Sequence, residues 1–162
     1  QHGIAVMAAR EHLDFQPSPT SDCAPLIEVV DALVDAGFPV RAMRDATRGG
    51  LSAVLHEWAE DARQTLRVEE ERIPVSSEVR GACELLGLDP IHVANEGTML
   101  IGVRPDVVEK TLAVLRSVGI ARQAECIGVV EPRGLAPVVV RRGLGRDIPL
   151  DEPTGAPLPR IC

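Results

Sequence analysis

A stripe of aliphatic residues early in the chain sets the first condition on its fold. The stripe repeats with the spacing of an α-helix and consists of Leu26, Val29, Val30, Leu33 and Val34. Ser21 or Asp22 is predicted to cap this helix, and Pro25 suits its first turn. Gly37 is predicted to end it. Because a helix with one apolar face is stable only when that face is packed, the chain must fold in layers.

Segments with helical and with strand patterns follow one another along the rest of the chain. Helices are predicted over residues 3–13, 51–58, 76–87 and 106–118, and strands over 40–43, 66–68, 98–103, 126–130 and 136–141. We therefore expect an α+β domain over residues 1–149, with helices on one side of a mixed or antiparallel sheet.

The core of this domain must be aliphatic, because the 162 residues include two Phe, one Trp and no Tyr. The formal net charge of −7 argues against a nucleic-acid partner, since phosphate binding needs clustered Lys and Arg. Stacking on single strands needs aromatic side chains, which are scarce. No apolar run approaches the roughly 20 residues that cross a bilayer, so no membrane association is expected.

The four cysteines lie far apart in the sequence, without a Cys-x-x-Cys pair. Cys23, Cys83 and Cys126 lie in or beside apolar segments and are interpreted as small core residues. A chain of this size needs no disulfides, so we expect reduced thiols and a cytoplasmic protein. The histidines lack zinc-ligand spacing, so no metal site is predicted. His56 is interpreted as a helix-surface or half-buried residue.

The character of the sequence changes after Pro149. Residues 150–162 contain three prolines and almost no apolar periodicity, so a flexible tail is expected there. At about 3.3 Å per residue, such a tail could reach nearly 40 Å. It ends in Cys162, a thiol without a packing reason to be there, and a chemical role is favoured over an accidental end.

A first candidate binding segment, residues 45–50, lies between a predicted strand and a predicted helix. Free N–H groups and the dipole at a helix start favour an anion. Gly49 and Gly50 would let a phosphate approach the backbone, and Arg48 adds a charged donor. Asp45 could hold a metal-bound water or a substrate hydroxyl. A plain turn in which Thr47 caps the helix explains the same residues equally well, so both interpretations stay open.

A second candidate segment, Asn95-Glu96-Gly97, stands at the head of a predicted strand. Asn95 and Glu96 could contact a nucleotide or its metal ion. A turn that uses the positive φ tolerated by Asn and Gly explains the segment without any ligand. Taken alone, the segment favours this second interpretation.

Several stretches of the sequence match one family. They are residues 21–26, 43–51, 73–75, 80–90, 93–97 and 158–162. With its Thr-Arg-Gly-Gly, Asn-Glu-Gly and terminal Pro-Arg-Ile-Cys elements, the chain resembles the C-terminal domain of the HypE family of NiFe-hydrogenase maturation proteins. This family belongs to the superfamily of aminoimidazole ribonucleotide (AIR) synthase and selenophosphate synthetase. The resemblance covers nearly the whole chain and implies an AIR synthase C-terminal-domain-like fold.

The resemblance implies a carrier role for Cys162. In the family, HypF transfers a carbamoyl group to the C-terminal cysteine, and ATP then activates the carboxamide oxygen. Loss of phosphate leaves a thiocyanate on the sulfur, and the cyanide passes to iron on the HypC–HypD complex. By resemblance, the phosphate side of the ATP cleft includes Asp45, Thr47, Arg48, Gly49 and Gly50, with Asn95 and Glu96 as an extension of it.

The family's N-terminal domain binds most of the ATP and magnesium and provides the main homodimer contact. Because that domain lies outside this sequence, no ATP hydrolysis is expected from the present chain alone. Two other interpretations remain open. One is the C-terminal half of another ATP-dependent enzyme of the superfamily, which would not need a terminal cysteine. The other is a non-catalytic interaction module whose tail serves only for docking.

Overall fold

The strands of the protein divide between two sheets. The computed structural model describes residues 1–153. In this part of the chain the helices are α1 (His2–Arg10), α2 (Ile27–Asp35), α3 (Gly50–Ala62), α4 (Ser77–Leu86) and α5 (Val108–Ser117). The strands are β1 (Val40–Asp45), β2 (Gln64–Glu69), β3 (Met99–Val103), β4 (Gly128–Pro132), β5 (Val138–Arg142) and β6 (Arg146–Pro149). Every predicted helix and strand is present, with ends moved by a few residues, and the α+β class is confirmed.

The two sheets differ in size and in strand direction. β1 and β3 form an antiparallel pair in which Val40 lies opposite Val103 and Asp45 opposite Met99. The larger sheet has the order β4-β2-β5-β6, with β2 and β5 parallel and the other neighbours antiparallel. The predicted mixed or antiparallel character is confirmed, and the division into two sheets is a feature that the strand patterns did not reveal.

The buried core is aliphatic, as the composition predicted. α3 covers the larger sheet, where its Leu51, Val54 and Leu55 pack in one cluster with Leu66 and Val138. The three aromatic residues are only partly buried, and each borders a different apolar cluster: Trp58, Phe15 and Phe38. Packing of Val, Leu, Ile and Ala therefore provides the fully buried apolar surface.

The ends of α4 follow the sequence prediction. The Oγ of Ser76 accepts a hydrogen bond from the backbone N–H of Val79 at 3.4 Å, which satisfies a free donor of the first turn. Gly87 follows the last turn with a φ of +65°, the left-handed conformation that glycine adopts without strain.

The predicted cap of α2 is wrong. The helix begins at Ile27 without a side-chain cap, because Asp22 is used elsewhere. Its carboxylate accepts hydrogen bonds from the backbone N–H of His2 at 2.7 Å and from the hydroxyl of Thr98 at 3.2 Å. The apolar stripe is also narrower than predicted, since Val34 is 71% exposed. Tertiary hydrogen bonds thus outweigh the local capping preference here.

The domain extends past residue 149, where the tail was predicted to begin. Leu150 is buried in the main cluster, and its N–H donates to the carbonyl of Val138 at 3.0 Å. It follows β6, a strand that the sequence patterns did not predict. The rest of the predicted tail from residue 154, including Cys162, lies outside the described residues.

Candidate functional site

The two candidate binding segments lie side by side at one end of the small sheet. Asp45 is the last residue of β1, and the next residue, Ala46, is buried. The N–H of Ala46 donates to the carbonyl of Thr98, and its carbonyl accepts from the N–H of Asn95, both at 3.0 Å. These bonds continue the pairing of β1 with the chain before β3. The residues predicted to share one cleft are therefore brought together.

The turn between β1 and α3 requires two glycines. Gly49 and Gly50 have φ values of +70° and +61°, a region that side chains with a Cβ rarely adopt. A Cβ on Gly50 would lie 2.5 Å from the carbonyl oxygen of Val93. Gly49 occupies the N-cap position of α3, which has no side-chain cap. The plain turn capped by Thr47 is therefore not the arrangement that the chain adopts.

Asp45, Thr47 and Glu96 line one open groove of about 340 Å³, which we call the carboxylate groove. The other residues along it are mainly apolar: Ala24, Leu26, Met43, Arg44 and Met99. The Asp45 side chain is 55% exposed and pairs weakly with the neighbouring Arg44, whose Nε lies 3.7 Å away. The groove thus offers two carboxylates and a hydroxyl that are open to a ligand.

Arg48 and Asn95, also predicted as site residues, do not line this groove. Arg48 is exposed, and no residue in the described part of the chain pairs with its guanidinium. The Asn95 side chain has a structural role, because its Nδ2 donates to the carbonyl of Val93 at 3.3 Å and its Oδ1 accepts from the backbone nitrogen of Gln1. Arg48 remains available to an anion, whereas Asn95 mainly holds the segment before β3.

Gly97 is explained by close packing. The backbone of Asp22 runs directly against it, and a Cβ at this position would overlap the Asp22 carbonyl oxygen. Neither Asn95 nor Gly97 has a positive φ. The interpretation of this segment as a turn based on positive φ is therefore wrong.

A polar pair that was not predicted lies on the buried face of α3. His56 is buried, and its Nε2 donates to the carbonyl of Leu150 at 3.1 Å. Ser52, one turn earlier, donates to the carbonyl of Asp151 at 3.3 Å. The interpretation of His56 as a surface or half-buried residue is wrong, because the segment after β6 covers it. A signal was present in the sequence, since Ser52 and His56 are spaced by four residues among the apolar positions of α3.

A second groove of about 380 Å³, the arginine groove, contains Arg142, whose charge is already paired. Arg142 donates to Glu70 at 2.7 Å and also binds Asp89. The hydrogen bond to Asp89 raises the pKa of Arg142. Cys83 lines the same groove but is 1% exposed, and burial raises the pKa of its thiol, which disfavours the reactive thiolate.

The other described cysteines differ in exposure. Cys126 is half-buried, and Cys23 is exposed, so its interpretation as a core residue is wrong. Cys23 lies in the loop whose backbone is held at Asp22, and this leaves its side chain at the surface. All three cysteines of residues 1–153 are free thiols.

Among residues 1–153, no three His, Cys, Asp or Glu side chains lie together as a metal-binding group. None of the helices described above is long and apolar enough to cross a membrane.

Comparison with known proteins places these observations in one family. Residues 1–140 match the model of the family described as AIR synthase related protein, C-terminal domain. The carbamoyl dehydratase HypE of Rhizobium leguminosarum bv. viciae is 42% identical over 164 residues, which cover 99% of this chain and 46% of that protein.

Two solved structures extend the comparison. The crystal structure of HypE in complex with ATP superposes with a TM-score of 0.91 at 36% identity, covering 99% of this chain and 49% of that one. The crystal structure of a HypE–HypF complex gives a TM-score of 0.88 at 37% identity, covering 94% and 49%. The chain therefore spans about half the length of the relatives that it matches.

Proposed function

The chain belongs to the AIR synthase related family as a C-terminal domain, and from this premise we propose that it is one half of a carbamoyl dehydratase. The whole enzyme has the HypE role in NiFe-hydrogenase maturation. Its terminal thiol, Cys162, accepts a carbamoyl group that is converted into a thiocyanate with ATP.

The position of Pro153 is the observation that links the fold to the proposed chemistry. The last described residue, Pro153, lies beside the glycine turn: a Cβ on Gly49 would be 3.7 Å from its Cγ. The last described residue before Cys162 thus lies next to the turn that contains Thr47 and Arg48. At about 3.3 Å per residue, the nine residues 154–162 can place the thiol up to about 30 Å from this point.

The proposed reaction uses sulfur twice. The Cys162 thiolate first attacks the carbamoyl carbon of the donor, the bond from that carbon to the donor's leaving group breaks, and an S-carbamoyl group forms. The carboxamide oxygen then attacks the γ-phosphorus of ATP, and ADP leaves. When the nitrogen has lost both protons, the C–O bond breaks, phosphate departs with the oxygen, and an S-cyano group remains. In the transfer to iron, the S–C bond breaks with its electron pair on sulfur, which regenerates the thiolate, and the acceptor complex supplies the electron pair of the new iron–carbon bond.

Residues of this chain serve the phosphoryl transfer by neutralising and positioning charge. Arg48 faces solvent at the turn with a free cation, and the start of α3 with Gly49 and Gly50 supplies backbone N–H groups. Asp45 and Glu96 provide carboxylate oxygens of the kind that magnesium prefers. Since these two carboxylates lack a third protein ligand among residues 1–153, the N-terminal half and the ATP phosphates hold most of the magnesium.

The partners follow from the same role. HypF donates the carbamoyl group, and the relative solved with HypF supports a direct contact. The iron of a HypC–HypD complex accepts the cyanide, and the full-length protein is a homodimer through its N-terminal half. Because that half is needed for ATP, the chain alone is inactive as a dehydratase. We also propose a cytoplasmic location, which suits the free thiols of the described residues.

Mass spectrometry of the full-length protein tests the carrier role. After incubation with HypF, carbamoyl phosphate and ATP, we expect the mass of a carbamoyl or cyano group on the peptide that contains Cys162. Cys162→Ala should abolish this label, whereas the matched control Cys23→Ser, at an exposed thiol, should keep it. An unlabelled wild-type peptide, or a label that persists in Cys162→Ala, would overturn the proposal.

Cys162→Ala also distinguishes the carrier role from the two other interpretations of the chain. An interaction module that uses its tail only for docking would still support hydrogenase maturation after Cys162→Ala. Another ATP-dependent enzyme of the superfamily would keep its ATPase rate, because its chemistry does not involve the terminal thiol.

A further inference from the structure

The polar pair on α3 holds the start of the C-terminal segment. Ser52 and His56 lie one helical turn apart and are 0% and 6% exposed. Their hydrogen bonds run to the backbone carbonyls of Asp151 and Leu150, nearly a hundred residues away in sequence. The other ring nitrogen, Nδ1, lies 2.8 Å from the carbonyl oxygen of Ser52 and 3.4 Å from its Oγ.

The same segment is held from two other directions. Leu150 donates its N–H to the carbonyl of Val138 in the sheet, and its side chain is 7% exposed. Three residues further on, Pro153 packs beside Gly49 at the start of α3. Residues 150–153 therefore run along α3 and end beside the glycine turn of the candidate site.

Neither polar side chain is needed to fill the core. Burying a hydroxyl or an imidazole is unfavourable unless it is hydrogen-bonded, and an apolar side chain of similar size would avoid that cost. Besides the contacts within α3, the bonds that satisfy these buried groups are those to the segment after β6. We propose that Ser52 and His56 are positioning residues, which fix the point where the tail that carries Cys162 leaves the domain.

This inference rests on the proposed carrier function of Cys162 and specifies the length of chain between the domain and the thiol. With the segment held, Cys162 is the ninth residue beyond Pro153, a reach of about 30 Å; with release at Pro149 it is the thirteenth residue beyond the attachment, a reach of about 43 Å. Because the local concentration of a tethered group falls roughly with the −3/2 power of the tether length, this lengthening lowers the local concentration of the thiol at its own cleft by about twofold. Loss of the fixed exit point adds to that effect.

Hydrogen exchange of the full-length protein tests the attachment directly. In His56→Leu and in the milder Ser52→Ala, we expect the Leu150 amide, which donates to the Val138 carbonyl, to exchange about tenfold faster. His56→Gln should restore protection, because its amide can donate to the Leu150 carbonyl. Thr111→Val is the matched control, since this buried hydroxyl donates to the carbonyl of Val107 at the N-cap of α5 and not to the segment after β6. Unchanged exchange at Leu150 in both variants would overturn the attachment.

Single-turnover kinetics tests the positioning role. Starting from carbamoylated protein, the ATP-dependent step should slow about threefold or more in His56→Leu, with KM for ATP and the HypF-dependent carbamoylation unchanged, and His56→Gln should recover the rate. If the Leu150 amide exchanges faster but the dehydration rate is unchanged, the positioning role of Ser52 and His56 is overturned. If wild-type Cys162 never accepts a carbamoyl group, the proposed function fails, whereas the exchange result still decides whether the pair holds the segment.

Discussion

The two grooves of this domain are similar in volume but use their charged residues differently. In the arginine groove, the Arg142 guanidinium is bound by both Glu70 and Asp89, so its charge is already paired within the protein. In the carboxylate groove, Asp45 has only an exposed neighbour at 3.7 Å, and Glu96 pairs with no residue among those described. Paired charges stabilise a fold, whereas unpaired charges at a groove are available to a ligand.

A single turn connects the two grooves. Gly50 packs against the backbone of Ile91 and Val93, and Ile91 lines the arginine groove. Asp89 reinforces this contact, because it accepts from Arg142 and also from the N–H of Ile91 at 3.0 Å. Residues of the arginine groove therefore support the backbone of residues 91–93, and Gly50 packs against that backbone at the turn beside the carboxylate groove.

The largest effect is expected from Gly50→Ala, which would break this support. Its Cβ would meet two backbone carbonyl oxygens at 2.5 and 2.7 Å, and its φ is positive, so we expect a loss of about 3 kcal/mol in unfolding free energy. Gly37→Ala is the control, because Gly37 has the same positive φ and open space around it. It should lose only about 1 kcal/mol. If urea unfolding gave the two variants equal losses of unfolding free energy, the packing of Gly50 against the Ile91 and Val93 carbonyls would not be tight.

Arg142→Met should have the next largest effect, on stability and not on chemistry. It leaves two partly buried carboxylates, Glu70 and Asp89, without their cation, so we expect a loss of about 1–3 kcal/mol in urea unfolding. Arg141→Met, at the adjacent residue, removes an exposed pair with Asp147 and should change stability little. If the two variants were equally stable, the arginine groove would not be the support described above.

Substitutions in the carboxylate groove should have the opposite pattern. Asp45→Asn and Glu96→Gln should leave the melting temperature unchanged, because neither carboxylate forms a strong ion pair with a described residue. The ATP-dependent dehydration of the carbamoylated full-length protein should fall about tenfold, equivalent to about 1.4 kcal/mol. Glu84→Gln, on the arginine groove, is the matched control. Full activity in both Asp45→Asn and Glu96→Gln would remove the distinction between the grooves.

The sequence was sufficient for elements with a strong local pattern and failed where contacts are distant. The helix stripes and the cap of α4 by Ser76 depend on neighbours within a few residues. β6 was missed because all four of its residues are exposed, which leaves no alternation to detect. The spacing of His56 from Ser52 places it on the apolar face of α3, but its cover by Leu150 depends on a residue 94 positions away, which no local pattern identifies.

The candidate site shows the same division. Residue types and family resemblance together selected Asp45, Thr47 and Glu96, and the fold does place them along one groove. The internal use of Asn95 could not be predicted, because it depends on the neighbouring carbonyl of Val93 and on Gln1. A polar residue in a motif can serve a ligand or the backbone, and only tertiary contacts separate these uses.

The smallest effect is expected outside both grooves, at the exposed pair of Arg141 and Asp147 between β5 and β6. The hydrogen bond from Arg141 lowers the pKa of Asp147. A carboxylate whose pKa is lower in the folded protein stabilises the fold above its unfolded pKa, and this contribution is lost as the pH falls through the folded value. The melting temperature of Asp147→Asn should thus be slightly below wild type at pH 7, and the difference should begin to shrink below about pH 4 and disappear below the folded pKa. Asp106→Asn, at another exposed pair with Arg104, is the control. A difference that stays constant down to acidic pH would show that Asp147 acts through packing and not through its charge.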